Sequence, residues 1–139
     1  MTPKILSVDD SGLIRKAVAR AFAKFETIII HAENGEIGLQ QAREHRPDLI
    51  VLDVNMPVMD GLEMLRQLRA DPALKPTKVI MLTANSNPET VSSVARLGVR
   101  EYVIKPFEEG DLVAKAGRLI GLIPKATEDA STPSTPPQA

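Results

Sequence analysis

The stretch Leu49-Ile50-Val51-Leu52-Asp53, running on into Val54-Asn55-Met56-Pro57-Val58-Met59-Asp60-Gly61, decides the fold. Four consecutive apolar residues leave no polar face, so a strand built from them must be covered on both sides, as in a parallel sheet. Working outward, Ile28-Ile29-Ile30 has the same character. The predicted strands are 4–8, 27–31, 49–53, 78–82 and 102–104. Between them lie amphipathic segments with apolar residues at three- and four-residue spacing. The first carries Ile14, Ala17, Val18, Ala21, Phe22 and Phe25, with Ser11 placed to cap its start. The others are predicted at 36–45, ending before Pro47, at 62–69, at 89–97 with Gly98 closing it, and at 109–120. Strands alternating with helices mean an α/β fold with a doubly wound parallel sheet. Periodicity does not give the strand order.

Composition narrows the function. The chain has 139 residues, 43% of them hydrophobic, which suits one domain with a core and a short tail. Seventeen basic and 18 acidic residues nearly cancel, and no basic stripe runs along the sequence, so no nucleic-acid partner is expected and the charges read as solvated helix faces. The absence of cysteine excludes disulfides, a thiol nucleophile and thiolate-bound zinc. Neither a signal-peptide pattern nor an apolar run of about 20 residues is present, so the expectation is a soluble cytoplasmic protein without membrane contact. His31 and His45 are isolated and carry no ligand context, and Gly12 and Gly38 are weak helix formers without an assigned role.

The polar residues at predicted strand ends carry the chemistry. Asp9-Asp10 ends the first strand, Asp53 the third, Thr83 the fourth and Lys105-Pro106 the fifth. Parallel strands share one carboxyl edge, where ligands gather in such sheets. Two carboxylates about 4 Å apart repel by about 4 kcal/mol at an effective dielectric of 20, so three must take up protons or a cation. A hard divalent ion answers this, Mg²⁺ best because it accepts few carboxylates and keeps room for water and phosphate oxygens, with Mn²⁺ a substitute. A carboxylate, Mg²⁺, an ammonium and a hydroxyl are the parts of phosphoryl transfer onto a carboxylate oxygen. Singly, each residue is a commonplace cap or turn former; it is their conjunction at separate strand ends that points to chemistry.

The segments Val8-Asp9-Asp10-Ser11, Leu52 to Gly61, Leu82-Thr83-Ala84 and Tyr102-Val103-Ile104-Lys105-Pro106-Phe107 resemble the receiver domains of two-component response regulators, over about residues 4–123. The resemblance implies a flavodoxin-like sheet of order 2-1-3-4-5 with five helices. It implies that Asp53 accepts a phosphoryl group from a histidine kinase or a small phosphodonor. Asp9, Asp10 and Asp53 would ligate Mg²⁺ together with the backbone carbonyl of Asn55. Lys105 would pair with Asp53, Thr83 would hydrogen-bond the phosphoryl group, and Tyr102 would turn inward as Thr83 moves. The Lys105–Pro106 bond would be cis. Asn55 and Asn85 would occupy positions that influence phosphate lifetime.

On this reading the chain is a single-domain regulator, not a turnover enzyme. Its helix 4, strand 5 and helix 5 face would change on phosphorylation and bind a downstream protein, as in chemotaxis-type regulators, with the chain a monomer or weak dimer. Alternatives are a phosphorelay intermediate that passes phosphate to a histidine phosphotransfer protein, and a receiver fragment of a longer regulator. A haloacid-dehalogenase-type phosphatase lacks support because Asn55 stands where that family needs an acid; a flavin binder does so because Asp9-Asp10 would repel the cofactor phosphate. A receiver-like module that is never phosphorylated is disfavoured by the complete residue set. The expected division is a receiver domain at 1–124 and a disordered tail at 125–139, rich in Thr, Ser and Pro.

Overall fold

The structure, a computed structural model, describes residues 2–84 and 87–125. The expectations for Asn85, for the Thr132-Pro133 and Thr135-Pro136 pairs and for the tail from 126 onward lie outside the described residues. Elements run β1 (Lys4–Val8), α1 (Gly12–Phe22), β2 (Ile28–Ala32), α2 (Gly35–His45), β3 (Leu49–Leu52), α3 (Gly61–Ala70), β4 (Lys78–Thr83), α4 (Pro88–Arg96), β5 (Glu101–Ile104) and α5 (Glu109–Ile120). All neighbouring strands are parallel, in the order β2-β1-β3-β4-β5. This is the flavodoxin-like arrangement.

β3 lies at the centre of that order and shows why its sequence is wholly apolar. Ile50 and Leu52 face a layer shared with Leu6, Val8, Val79, Met81 and residues of α2, α3 and α4. Leu49 and Val51 face the opposite layer, with Phe22 of α1 and Leu112 and Ala116 of α5. Each β3 side chain is at most 1% exposed. Full burial of such a side chain contributes about 1.5–3 kcal/mol.

Side-chain caps set most helix starts. The oxygens of Ser11, Asn34, Asp60 and Asn87 accept from the backbone N–H groups of Ile14, Ile37, Glu63 and Thr90. Pro88 occupies the first turn of α4, where no N–H is needed. Helix α1 is shorter than its apolar period suggests. It ends at Phe22, and Phe25 instead sits in an isolated bridge to Pro124, with Glu26 and Lys125 N–H donating to Ile123 and Lys24 carbonyls. The apolar period therefore runs past the helix end into a residue whose backbone pairs with the segment after α5. Gly38, without a role in the sequence reading, gains one here. A Cβ there would lie 2.8 Å from Met64 Sδ and 3.2 Å from Val8 Cγ1, so its bare surface lets α2 close on α3 and β1.

Candidate functional site

The carboxyl edge of the sheet is built from the chain ends of β1, β3, β4 and β5. Asp53 leaves β3 with its N–H donating to Val8 carbonyl at 3.0 Å, and Asp9 leaves β1 with its N–H donating to Ala32 carbonyl at 3.1 Å. Both acids therefore continue the ladder of a neighbouring strand, which fixes their backbones side by side. Asp9 is 2% exposed and Asp53 4%, whereas Asp10 points to solvent at the mouth. One carboxylate oxygen from each of the three lies within 4.8 Å of the others.

Asp9 is held from several sides. Its Oδ1 accepts from Ser11 N–H at 2.9 Å, and its carbonyl accepts from the Arg15 guanidinium. Its Oδ2 is buried and forms an ion pair with Lys105 Nζ at 2.9 Å. The same ammonium lies 3.4 Å from Asp53 Oδ1. Lys105 thus sits between two buried carboxylates. Its own N–H donates to Thr83 carbonyl at 2.9 Å, tying the end of β5 to the end of β4. The Lys105–Pro106 bond is cis.

The charges do not balance. Burial, then the neighbouring Asp9 charge, push the Asp53 carboxyl upward from its ordinary value, while Lys105 and an N–H from Asn55 pull it back only in part. For Lys105, burial favours loss of the proton, yet the two carboxylates outweigh it and the ammonium is held upward. The cluster carries one cation for three acids. Its donors are all carboxylate oxygens, and Asp9 Oδ2 is buried without a hydrogen-bond partner among the described residues. An oxygen-seeking divalent cation such as Mg²⁺ fits that donor set, and a soft metal does not.

Thr83 is fully buried at the end of β4, in register with Ile104. Tyr102 pairs in register with Met81, and its ring packs on the layer containing Leu74, Val94 and Val99. Its hydroxyl is buried without a hydrogen-bond partner among the described residues, and burial raises its pKa. The sheet thus brings Asp9, Asp10, Asp53 and Lys105 together, with Thr83 adjoining through the Lys105 backbone, while Tyr102 lies further back along β5. Asn55 exposes its side chain and turns its N–H to Asp53.

One functional position escaped the sequence reading. A Cβ on Gly61 would lie 2.1 Å from the Asp53 carbonyl oxygen, and Gly61 N–H donates to Val54 carbonyl at 2.8 Å. The start of α3 therefore abuts the backbone of Asp53. Asp60, capping α3 just before it, marks the helix start, and the glycine that follows was the available signal, since glycine suits positions of close approach. In the same loop Val58 has φ 71° and is 76% exposed, a left-handed conformation that a β-branched residue seldom adopts.

With this geometry in view, comparison with known proteins is direct. The family model for the response regulator receiver domain matches residues 5–117. The chain is 38% identical over 111 residues to regulatory protein AtoC of Escherichia coli, a match covering 78% of this chain and 23% of AtoC, so it spans less than a quarter of that protein. It is 32% identical over 110 residues to chemotaxis protein CheY of Bacillus subtilis, covering 78% of this chain and 89% of CheY. Among solved structures, chemotaxis protein CheY4 of Vibrio cholerae superposes with a TM-score of 0.80 at 33% identity, covering 86% of this chain and 99% of CheY4. No helix among the described residues is long and apolar enough to cross a membrane. Fold, acidic edge and family match agree: the chain belongs to the response regulator receiver domain family.

Proposed function

We propose that Asp53 accepts a phosphoryl group from a histidine kinase in a Mg²⁺-dependent step, and that this event switches a protein-binding face elsewhere on the domain. The observation carrying the proposal is the placement of Lys105 Nζ 3.4 Å from Asp53 and 2.9 Å from Asp9, with Asp10 open to solvent beside them. An Asp53 oxygen attacks phosphorus, an acyl-phosphate P–O bond forms, and the P–N bond of the donor phosphohistidine breaks, leaving its electron pair on nitrogen, which takes a proton from water. Lys105 is placed to hold a phosphoryl oxygen and offset the added charge. Asp9, Asp10 and Asp53, with the Asn55 carbonyl, would hold Mg²⁺, which when bound neutralises phosphate and carboxylate charge. Thr83 would donate its hydroxyl to the phosphoryl group.

Readout would run through α4, β5 and α5. Tyr102 supports this, because among the described residues its buried hydroxyl has no hydrogen bond that a shift of the ring would break. The face also offers exposed Val91 and Ile104, and Lys115 Nζ donates to Tyr102 carbonyl at 2.6 Å. Exposed Leu13 and Val58, on segments leaving Asp10 and Asp53, suit docking of a protein phosphodonor or a histidine phosphotransfer protein. The domain acts as a switch, not a turnover enzyme, and we take 1–124 as the receiver unit and the cytoplasm as its site of action.

Incubation with acetyl phosphate and Mg²⁺, followed by intact mass measurement, tests the proposal. Wild type gains one phosphoryl group and Asp53→Asn gains none. Modification of Asp53→Asn, or an unmodified wild type with beryllofluoride also failing to perturb its spectrum, rejects it. Rapid return of phosphate to a histidine partner would move the role towards a phosphorelay intermediate.

A further inference from the structure

The opposite, amino-terminal edge of the sheet carries an unassigned feature. A cleft of about 560 Å³ lies between the α3–β4 connection, the end of α4 and the start of β5. Arg69, Lys75, Lys78, Arg96 and Arg100 line it, against a single acid, Glu101. Glu101 is already paired with Arg118, at 3.0 Å. Arg69 is half-buried and donates to the carbonyls of Leu97, Lys75 and Thr77 at 2.7–2.8 Å, with no carboxylate beside it. The other four cations are exposed, and among the described residues none of their side chains has an ion pair or hydrogen bond.

Helix electrostatics explains only part of this. Arg69 and Arg96 lie in the last turns of α3 and α4, where cations offset the helix dipole. Lys75, Lys78 and Arg100 lie outside any helix, so the helix dipole does not account for them. A second cleft of about 510 Å³ shares Pro76, Thr77, Lys78 and Leu119 with the first and adds Arg46 and one acid, Asp48, whose Oδ2 accepts from Lys4 N–H at 2.8 Å. The two clefts adjoin along the sheet edge and together make one groove-like surface on either side of Pro76, Thr77 and Lys78.

We infer that this groove binds an extended acidic segment of a partner protein. Continuity over two clefts suits a chain rather than a compact anion. No aromatic residue lines either cleft, so a nucleotide base has nothing to stack on. Helix amino-termini, the usual phosphate cradle, lie at the other edge. Pro76, Leu97 and Leu119 offer apolar contact to side chains set between the acids. The groove lies at the opposite edge from Asp53, so binding does not require the phosphoryl group, although Arg96, Glu101 and Leu119 belong to the elements of the proposed switch face.

A fluorescein-labelled peptide alternating Glu-Asp pairs with Leu tests this, read by anisotropy and by amide NMR shifts. Binding should perturb residues 75–79 and 96–101, weaken with added salt, and persist in Asp53→Asn. Arg96→Glu with Arg100→Glu should lower affinity about tenfold or more, as expected for loss of charge complementarity. Lys16→Glu with Lys24→Glu, on another surface, should change it little. Equal loss in both pairs, shifts away from the groove, or no binding overturns the inference. So does tighter binding of inorganic phosphate or AMP at the same residues, or self-association of the chain that the Arg96/Arg100 reversal abolishes.

Discussion

The two edges of one sheet make opposite use of charge. At the carboxyl edge, Asp9, Asp10 and Asp53 converge and a single ammonium, Lys105, is drawn in among them. At the amino edge, five cations surround a cleft whose one acid is engaged elsewhere. The helices reinforce the division, because in a parallel α/β fold they run back against the strands. Every helix carries a basic residue in its last turn, and four of the five carry an acid in their first. A net charge of −1 thus conceals a molecule polarised along its strands. The lesson is that burial, not charge count, separates the edges: acids at 2–4% exposure must be neutralised within the fold, whereas exposed cations are left to solvent or a partner.

Several substitutions would break or sharpen this contrast. Gly61→Ala should act most strongly, since its methyl group would enter the Asp53 carbonyl oxygen. We expect a loss of about 3 kcal/mol in urea unfolding, as for severe overpacking; a loss under about 0.5 kcal/mol would show that the acidic edge has slack. Lys105→Met comes next. It strands two buried carboxylates, and we expect about 2 kcal/mol of destabilisation in EDTA, largely restored by millimolar Mg²⁺. Equal stability of variant and wild type in EDTA would mean that the pair is solvated enough to need no cation.

Asp53→Asn should stabilise the metal-free protein by about 1 kcal/mol near neutral pH, because it removes a buried charge beside Asp9. The pH dependence has a definite sign. The folded Asp53 carboxyl keeps its proton to higher pH than the unfolded one, whose ordinary value is 3.8. Between those values the native state binds more protons, so wild-type stability falls as pH rises. The advantage of Asp53→Asn should therefore be greatest above the raised value and shrink as pH drops towards 3.8. An advantage that grows on acidification would contradict the burial argument. At the other edge, Arg100→Glu should change stability by no more than about 0.5 kcal/mol, as for an exposed side chain; a larger loss would make the amino edge structural too.

Much of the acidic edge was legible beforehand. Asp9, Asp10, Asp53, Thr83 and Lys105 each follow an apolar run, and parallel strands necessarily end on one side. Element boundaries held to within a residue or so, except that α1 stops at Phe22 while Phe25 bridges to Pro124. Gly38 and Gly61 were opaque, since a glycine's reason lies in what a Cβ would strike: Met64 in one case, the Asp53 carbonyl in the other. The basic groove was opaque as well. Its cations come from α3, the following connection, β4, α4 and the approach to β5, and read along the chain they are only scattered charges.

By itself, then, the sequence determined the alternation of strands and helices, the two-sided burial of β3 and the set of polar groups that strand ends would carry. These follow from local rules: apolar runs, helical periods and capping residues act between neighbours in the chain. The tertiary structure alone decided which charges meet. Lys105 lies within 3.4 Å of both Asp9 and Asp53, and Glu101 turns to Arg118 rather than to the cations of the groove. Coulomb energy depends on distance in space and on access to water, and neither is written in sequence separation.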